Sequence, residues 1–113
     1  MNATHVIYNG QSYPAKYASF DIAAAANSDV VAAVPGKRIT VVGIWMGGAS
    51  GTAATATFSS AATPLSPVVG VVAGGPTFAE HMILYQTVAG EKLNIAAATG
   101  GIWGRIKYIE ADA

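Results

Sequence analysis

The sequence contains no cysteine, so the chain has neither a disulfide nor a thiolate metal site. Charged side chains are also scarce, because only 11% of the residues are Asp, Glu, Lys or Arg, against about 25% in an average soluble domain. The six basic and six acidic side chains cancel and are scattered along the chain. Binding to nucleic acid or anionic lipid depends on clustered Lys and Arg. The sequence therefore predicts neither a nucleic acid nor a membrane partner.

Long hydrophobic runs and a targeting segment are missing as well. Gly, Pro or polar residues interrupt each apolar stretch well before the roughly 18 positions that a membrane-spanning helix needs. The first residues, MNATHVIYNG, lack the basic segment and apolar run of a signal peptide. We therefore expect a soluble chain.

The chain is instead rich in small and apolar residues. Hydrophobic residues make up 52% of its 113 positions, and a single domain of this size buries about two thirds of the surface that its unfolded form exposes. A monomer with this composition would still expose a large apolar surface to water. We expect other protein chains to cover part of that surface.

Hydrophobic and polar residues alternate in several segments, which is the pattern of β-strands. In TAATATFSS, Ala54, Ala56 and Phe58 fall on one face, and in EKLNIA, Leu93 and Ile95 do so. Gly and Pro turn signals separate such segments at intervals typical of a sandwich or barrel. The sequence therefore predicts one all-β domain over residues 17–113, a β-sandwich of about eight antiparallel strands.

The first 16 residues are predicted to form an N-terminal hairpin or arm. Asn9 and Gly10 suit the positive φ angles of a two-residue turn, and Pro14 restricts the returning strand to an edge. A hairpin is not stable alone. We therefore expect this one to reach a neighbouring subunit or shell through four candidate contact residues: Val6, Ile7, Tyr8 and Tyr13.

A run of four alanines, Ala23 to Ala26, is the one segment with a helical composition. It is too short to hold a helix alone. A strand is predicted for residues 17–23 and a loop for residues 24–28, with one helical turn as the alternative.

The stretch VPGKRITVVGIWMGG contains a Gly36-Lys37 pair that a phosphate-binding loop could use. Such a loop needs a glycine five residues earlier and a Ser or Thr after the lysine. Val31 and Arg38 occupy those places. The pattern therefore indicates a Pro-Gly turn before a strand.

That strand, ITVVGIWM, is apolar on both faces when its residues alternate strictly. Ile39, Val41 and Trp45 fall on one face. Val42, Ile44 and Met46 fall on the other. Because both faces are apolar, we expect its outer face to be covered by another element or another subunit.

Trp45 and Trp103 each lie near the centre of an apolar strand. One interpretation is core packing. The other is that one of them, with Met46, anchors a subunit contact, since tryptophan is enriched at the energetic centres of interfaces.

No residue set in the sequence predicts a catalytic, metal or cofactor site. Ser50 lacks the second glycine of a nucleophile elbow, because Thr52 stands there. Glu80 and His81 are adjacent, so on a strand their side chains point to opposite faces. We therefore expect a protein that is not an enzyme and binds no cofactor.

The order of the segments resembles a group of short β-sandwich proteins from tailed bacteriophages. It runs from VVAAVPGKRITVVGIWM through TFSSAATPLS, GG and QTVAGEKLNI to a closing GRIKYIE. The similarity covers residues 17–110. It implies a jelly-roll-like sandwich made in the host cytoplasm and used as a virion structural part, often a homotrimer, that decorates or cements a capsid or is mounted on fibres and spikes.

We therefore expect a capsid decoration or cement protein on the virion surface, with further copies of itself and the major capsid protein, or another virion protein, as partners. The alternative is a carbohydrate- or receptor-binding module of a spike, fibre or tail, since jelly rolls also serve as lectins. It would use Trp45, Trp103 or Tyr85 beside a polar residue such as Asn94. A small hydrolase using Glu80 and His81 ranks last.

Overall fold

The structure is a computed structural model. It describes residues 5–48, 54–66, 69–71, 77–98 and 100–113. For residues 69–71 and 77–84 it describes the backbone and not the side chains. In chain order the strands are β1 (His5–Tyr8), β2 (Gln11–Pro14), β3 (Lys16–Ile22), β4 (Asn27–Val31), β5 (Lys37–Gly48), β6 (Ala54–Ser60), β7 (Thr63–Pro64), β8 (Val69–Val71), β9 (Thr77–Gln86), β10 (Leu93–Ala97) and β11 (Ile102–Asp112). The described part of the chain contains no helix long and apolar enough to cross a membrane.

Two antiparallel sheets form a sandwich with jelly-roll topology. One sheet has the order β3-β11-β5-β9. In the other, β4-β10-β6 is completed by β7 and β8, which pair with different parts of β6. If β3 to β6 and β8 to β11 are numbered one to eight, the sheets read 1-8-3-6 and 2-7-4-5, the double Greek key of a jelly roll. The predicted all-β, jelly-roll-like sandwich is therefore confirmed.

The strand count is higher than the eight expected. The excess comes from the N-terminal hairpin and from β7, which has only two residues. So short a strand carries too little alternation to be recognised in a sequence.

The core lies between the two sheets and contains the residues that alternation had placed inward. Ala54, Ala56 and Phe58 of β6 are at most 1% exposed, and Leu93 and Ile95 of β10 are fully buried. These predictions are confirmed. From the other sheet, the buried core residues are Phe20, Ile22, Ile39, Val41, Ile44, Met46, Ile102 and Ile106.

A β-bulge in β5 changes the faces predicted for that strand. The register with β11 shifts between the pairs Gly43 with Lys107 and Val41 with Tyr108, which leaves Val42 unpaired. Ile39 and Val41 therefore reach the core together with Ile44 and Met46. Trp45 lies on the outer face. The strict alternation expected here was wrong because an extra residue reverses the faces beyond it.

The predicted hairpin turn is confirmed at Asn9 and Gly10, whose φ angles are 50° and 75°. β1 and β2 form a two-stranded sheet in which Pro14 pairs only with His5. The predicted Pro-Gly turn is confirmed as well, since Lys37 N donates to Val34 O at 3.1 Å. Lys37 then begins β5.

The alanine run forms a tight turn and no helix. Ala26 N donates to Ala23 O at 3.1 Å, and Ala25 has a φ of 59°. β4 begins at Asn27, so the last two residues of the predicted loop, Asn27 and Ser28, belong to the strand. The pairing of Asn27 with Ala96 of β10 extends the strand to this point.

Candidate functional site

The outer face of the β3-β11-β5-β9 sheet carries a patch of large aromatic side chains. Because the inward residues of β3 and β11 are Phe20, Ile22, Ile102 and Ile106, the intervening residues point outward. Three of these outward residues, Tyr17, Trp103 and Arg105, form with Trp45 on the outer face of β5 what we call the aromatic patch. Tyr17 is 45% exposed and Trp103 is 41% exposed. Trp45 is half-buried.

Arg105 lies at the centre of the aromatic patch. Its guanidinium carbon is 4.8 Å from the Tyr17 ring centroid and 5.4 Å from that of Trp45. Both distances are within the range of cation–π attraction. The register explains the contact, since Arg105 on β11 pairs with Trp45 on β5. Stacking fixes the long side chain while the N–H groups at the guanidinium edge stay available to an acidic partner.

Trp103 presents its ring to solvent while its polar atom is satisfied within the chain. The indole Nε1–H donates to Gly48 O at 3.1 Å. An exposed ring with a satisfied donor favours packing against a flat surface over hydrogen bonding through the indole. Neither Trp45 nor Trp103 belongs to the buried core. Core packing, one of the two interpretations of the tryptophans, therefore does not describe them.

Lys107 follows on the same face and is nearly buried, with 7% of its surface exposed. It pairs with Gly43 on one side and with Tyr17 on the other. Within the described residues its ammonium group makes no hydrogen bond or ion pair. The methylene stem of the lysine contributes packing, whereas an ammonium without a partner adds no ion pair and is costly where it is shielded from water.

Replacing Lys107 by methionine should therefore leave the free energy of unfolding unchanged or raise it, because methionine keeps the stem and removes the charge. Lys107→Ala, which also removes the stem, is the matched control and should be less stable than Lys107→Met. Urea denaturation of the three proteins measures the difference. A loss of more than about 2 kcal/mol in Lys107→Met would mean that the ammonium has a partner.

The N-terminal hairpin covers the other end of this outer face. Tyr13 is 8% exposed and packs with Ile109 and Ala111 of β11, with Val6 and Tyr8 beside them. Asp112 N donates to the Tyr13 hydroxyl at 3.3 Å. Three of the four candidate arm contacts are thus turned toward their own chain.

The fourth candidate arm residue, Ile7, is 71% exposed. Alternation explains this difference, because Ile7 lies between Val6 and Tyr8 on β1 and points to the opposite side of the hairpin. Ile7 is the arm residue that a neighbouring molecule can reach.

Two other candidate residues lie inside the sandwich. Met46 is 3% exposed and belongs to the core, so it is not part of a surface contact. The Tyr85 ring stacks on Phe58 with a centroid distance of 4.8 Å. Because Tyr85 packs against the core, it does not share a surface with the tryptophans.

Asn94 lies on the opposite sheet from the tryptophans, in an open groove with Asn27, Asp29 and Lys92. Its Nδ2 donates to Asn27 Oδ1 and to Asp29 Oδ1, each at 3.0 Å. The hydrogen bonds from Asn94 and Lys92 hold the pKa of the Asp29 carboxyl below its usual value. The groove is polar and its groups satisfy one another. Asn94 is therefore not a neighbour of Trp45 or Trp103.

The remaining candidate chemistry falls largely outside the description. Glu80 and His81 lie on β9, with side chains among those not described, and Ser50 is not described. Among the described residues, no group of three or more His, Asp or Glu side chains could hold a metal ion.

The aromatic patch was only partly visible in the sequence. Alternation placed Arg105 and Trp103 on one face of the last strand, but Tyr17 joins them because β3, near the start of the sandwich, pairs with residues 102–108 of β11. No pattern within a few residues of sequence predicts the pairing of these two distant strands. Comparison of the chain with protein-family models, with curated proteins and with solved structures finds no match.

Proposed function

We propose that this chain is a structural protein of a bacteriophage virion, most simply a capsid decoration or cement protein that works by burying surface against its partners. The observation that carries the proposal is the aromatic patch, in which Tyr17 and Trp103 are more than two-fifths exposed around the stacked Arg105. Aromatic residues and arginine are the residue types that dominate the binding energy of protein interfaces.

The position of the patch supports a contact role. Its residues lie within three adjacent paired strands, so the sheet hydrogen bonds hold their backbone in place. A rigid patch loses little conformational entropy on binding, and more of the contact energy therefore appears as affinity. The jelly-roll fold recurs in viral capsid proteins, in line with the resemblance of the segment order to phage proteins. The proposed partners are further copies of the chain, as a trimer, and the major capsid protein.

The proposal is tested on purified tailed-phage particles whose genome encodes this chain. We expect mass spectrometry to find a fixed number of copies per capsid and electron microscopy to locate them on the head surface. Trp103→Ala should lower binding to heads that lack the chain at least about tenfold, since it removes an exposed ring of the patch.

Thr57→Ala is the matched control, because Thr57 lies on the opposite sheet and is only partly buried. It should bind heads as the unaltered chain does. Purified particles that contain no copies of the chain would overturn the proposal.

A second candidate is a carbohydrate- or receptor-binding module of a spike, fibre or tail. The observation that favours it is the placement of exposed polar residues, Ser19 and Asp21, beside the Tyr17 and Trp103 rings. Ligand sites commonly combine an apolar surface with a few polar groups that fix orientation. Binding of the chain to a host polysaccharide on a glycan array, lost in Trp103→Ala and with no binding to heads, would favour this function over the first.

A further inference from the structure

Most charged side chains in the described residues are engaged within the chain. Lys16 pairs with Glu110, Lys37 with Asp112, and Lys92 with Asp29. Arg38 donates to Thr87 O, and Glu91 accepts from the Ser60 hydroxyl. The described charges without an ion pair or hydrogen bond to the protein are Asp21, Arg105 and Lys107. All three lie on the outer face that carries the aromatic patch.

The exposed acid and the exposed base of this set have a definite geometry. Trp103 pairs with Asp21 and Arg105 pairs with Ser19, so these four residues occupy the corners of a rectangle. Asp21 and Arg105 share one diagonal of about 7–8 Å. Trp103 and Ser19 share the other. Arg105 leans toward Tyr17, on the side away from Asp21, and so the two opposite charges do not neutralise each other.

This rectangle is complementary to itself. A two-fold axis in the plane of the contact, running through Trp103 and Ser19, brings each of the other two corners to within about 3 Å of the position of the other, a distance that the side chains can span. It therefore places Asp21 of one chain opposite Arg105 of a second chain, and Arg105 of the first opposite Asp21 of the second. The same operation stacks the two Trp103 rings near the axis. A two-fold contact of this kind uses the same surface on both copies.

We infer that a second copy of this chain docks face to face on the aromatic patch, through two symmetric ion pairs between Asp21 and Arg105 and a central contact between the Trp103 rings. The inference rests on the proposed function, in which further copies of the chain are partners, and it names the surface that one such partner uses. If the chain also forms a trimer, this two-fold contact joins each trimer to others. The result is either a closed assembly of six copies or a layer of neighbouring trimers.

The geometry of the sheet accommodates such a contact. With strands about 4.8 Å apart and a two-residue rise of about 6.8 Å, the axis makes the strands of the two copies cross at about 70°, nearer to orthogonal than to aligned sheet packing. The hairpin of each copy stands over Ile109 and Ala111 at the far end of β11. The crossing therefore directs each hairpin away from the patch of the other copy.

The test is charge reversal followed by mixing, measured by sedimentation equilibrium on the full chain. We expect the unaltered chain to associate reversibly into assemblies with an even number of copies. D21R gives a chain with two cations at these corners, and R105D gives one with two acids. Each should self-associate at least about tenfold more weakly, because both ion pairs become repulsive.

Mixing D21R with R105D in equal amounts should restore association as a one-to-one complex, because both cross-pairs are then between opposite charges. The mixture also controls for folding, since a misfolded variant would not regain a specific partner. A32R and A32D are matched controls that add a charge at an exposed position just beyond β4 of the other sheet. They should associate as the unaltered chain does.

Three results would overturn the inference: a chain that stays monomeric at high concentration, a trimer whose mass is indifferent to D21R and R105D, or two variants that do not combine when mixed. None of these results changes the number of copies that mass spectrometry finds in purified particles, so failure of the inference and failure of the proposed function are distinguishable. Loss of glycan binding in R105D with no change in mass would instead assign the patch to a sugar.

Discussion

Gly104→Ala should unfold the domain or lower its free energy of unfolding by more than about 3 kcal/mol, a large part of the 5–15 kcal/mol of a typical domain. A Cβ atom at Gly104 would lie 2.8 Å from Met46 Cα and closer still to the carbonyl oxygen of Trp45. Both are backbone atoms of the neighbouring strand β5, so no side-chain rotation relieves the clash. β11 would have to move away from β5 along the centre of the sheet.

Gly90→Ala is the matched control for this substitution. Gly90 lies in the turn before β10 with nothing within 4 Å of an added Cβ, and its φ of 77° is the only obstacle to alanine. We expect a loss of about 1 kcal/mol. Urea unfolding followed by tryptophan fluorescence compares the two. Equal stabilities of Gly104→Ala and Gly90→Ala would show that β11 and β5 are not packed as closely as described.

Phe58→Ala should cost about 3–5 kcal/mol, the range for deleting a fully buried aromatic side chain. Phe58 is fully buried, and its ring stacks on Tyr85 at 4.8 Å with an interplanar angle of 24°. Phe58 belongs to one sheet and Tyr85 to the other, so the pair joins the two layers. The cavity left by alanine would lie between the sheets, where neither can close on it without shifting the other.

Thr57→Ala serves as the neighbouring control, since Thr57 is the adjacent residue on β6 and faces outward. A change within about 0.5 kcal/mol is expected for such a surface substitution. Thermal unfolding followed by circular dichroism in the far ultraviolet measures both variants. A Phe58→Ala protein as stable as Thr57→Ala would contradict the description of the core.

The parts of the fold that sequence reasoning found are those with a local cause. Ala54, Ala56 and Phe58 alternate with threonines and serine, and burial of their face follows directly from the period of a strand. The turn at Asn9 and Gly10 follows from backbone angles that few residues other than these adopt easily. Such signals lie within a few residues of the structure that they specify.

The parts that sequence reasoning missed depend on residues far apart. The bulge at Val42 leaves no trace in a run that is apolar on both faces, so Val41 and Trp45 were assigned to the same side. The packing of Tyr13 on Ile109 and Ala111 joins opposite ends of the chain. The same is true of the aromatic patch, in which Tyr17 meets Arg105 across 88 positions of sequence. Only the tertiary pairing of β3 with β11 brings these groups together.

The topology also sets an order of events during synthesis. β11 lies between β3 and β5 in the sheet β3-β11-β5-β9. β3 therefore cannot join this sheet until β11 has left the ribosome. At about 5–20 residues per second, β3 waits on the order of seconds with an unoccupied edge and its apolar Phe20 and Ile22 exposed. During that interval the unpaired edge of β3 exposes the nascent chain to aggregation. Loss of β11 would therefore separate β3 from β5, whereas loss of an edge strand would leave the rest of the sheet paired.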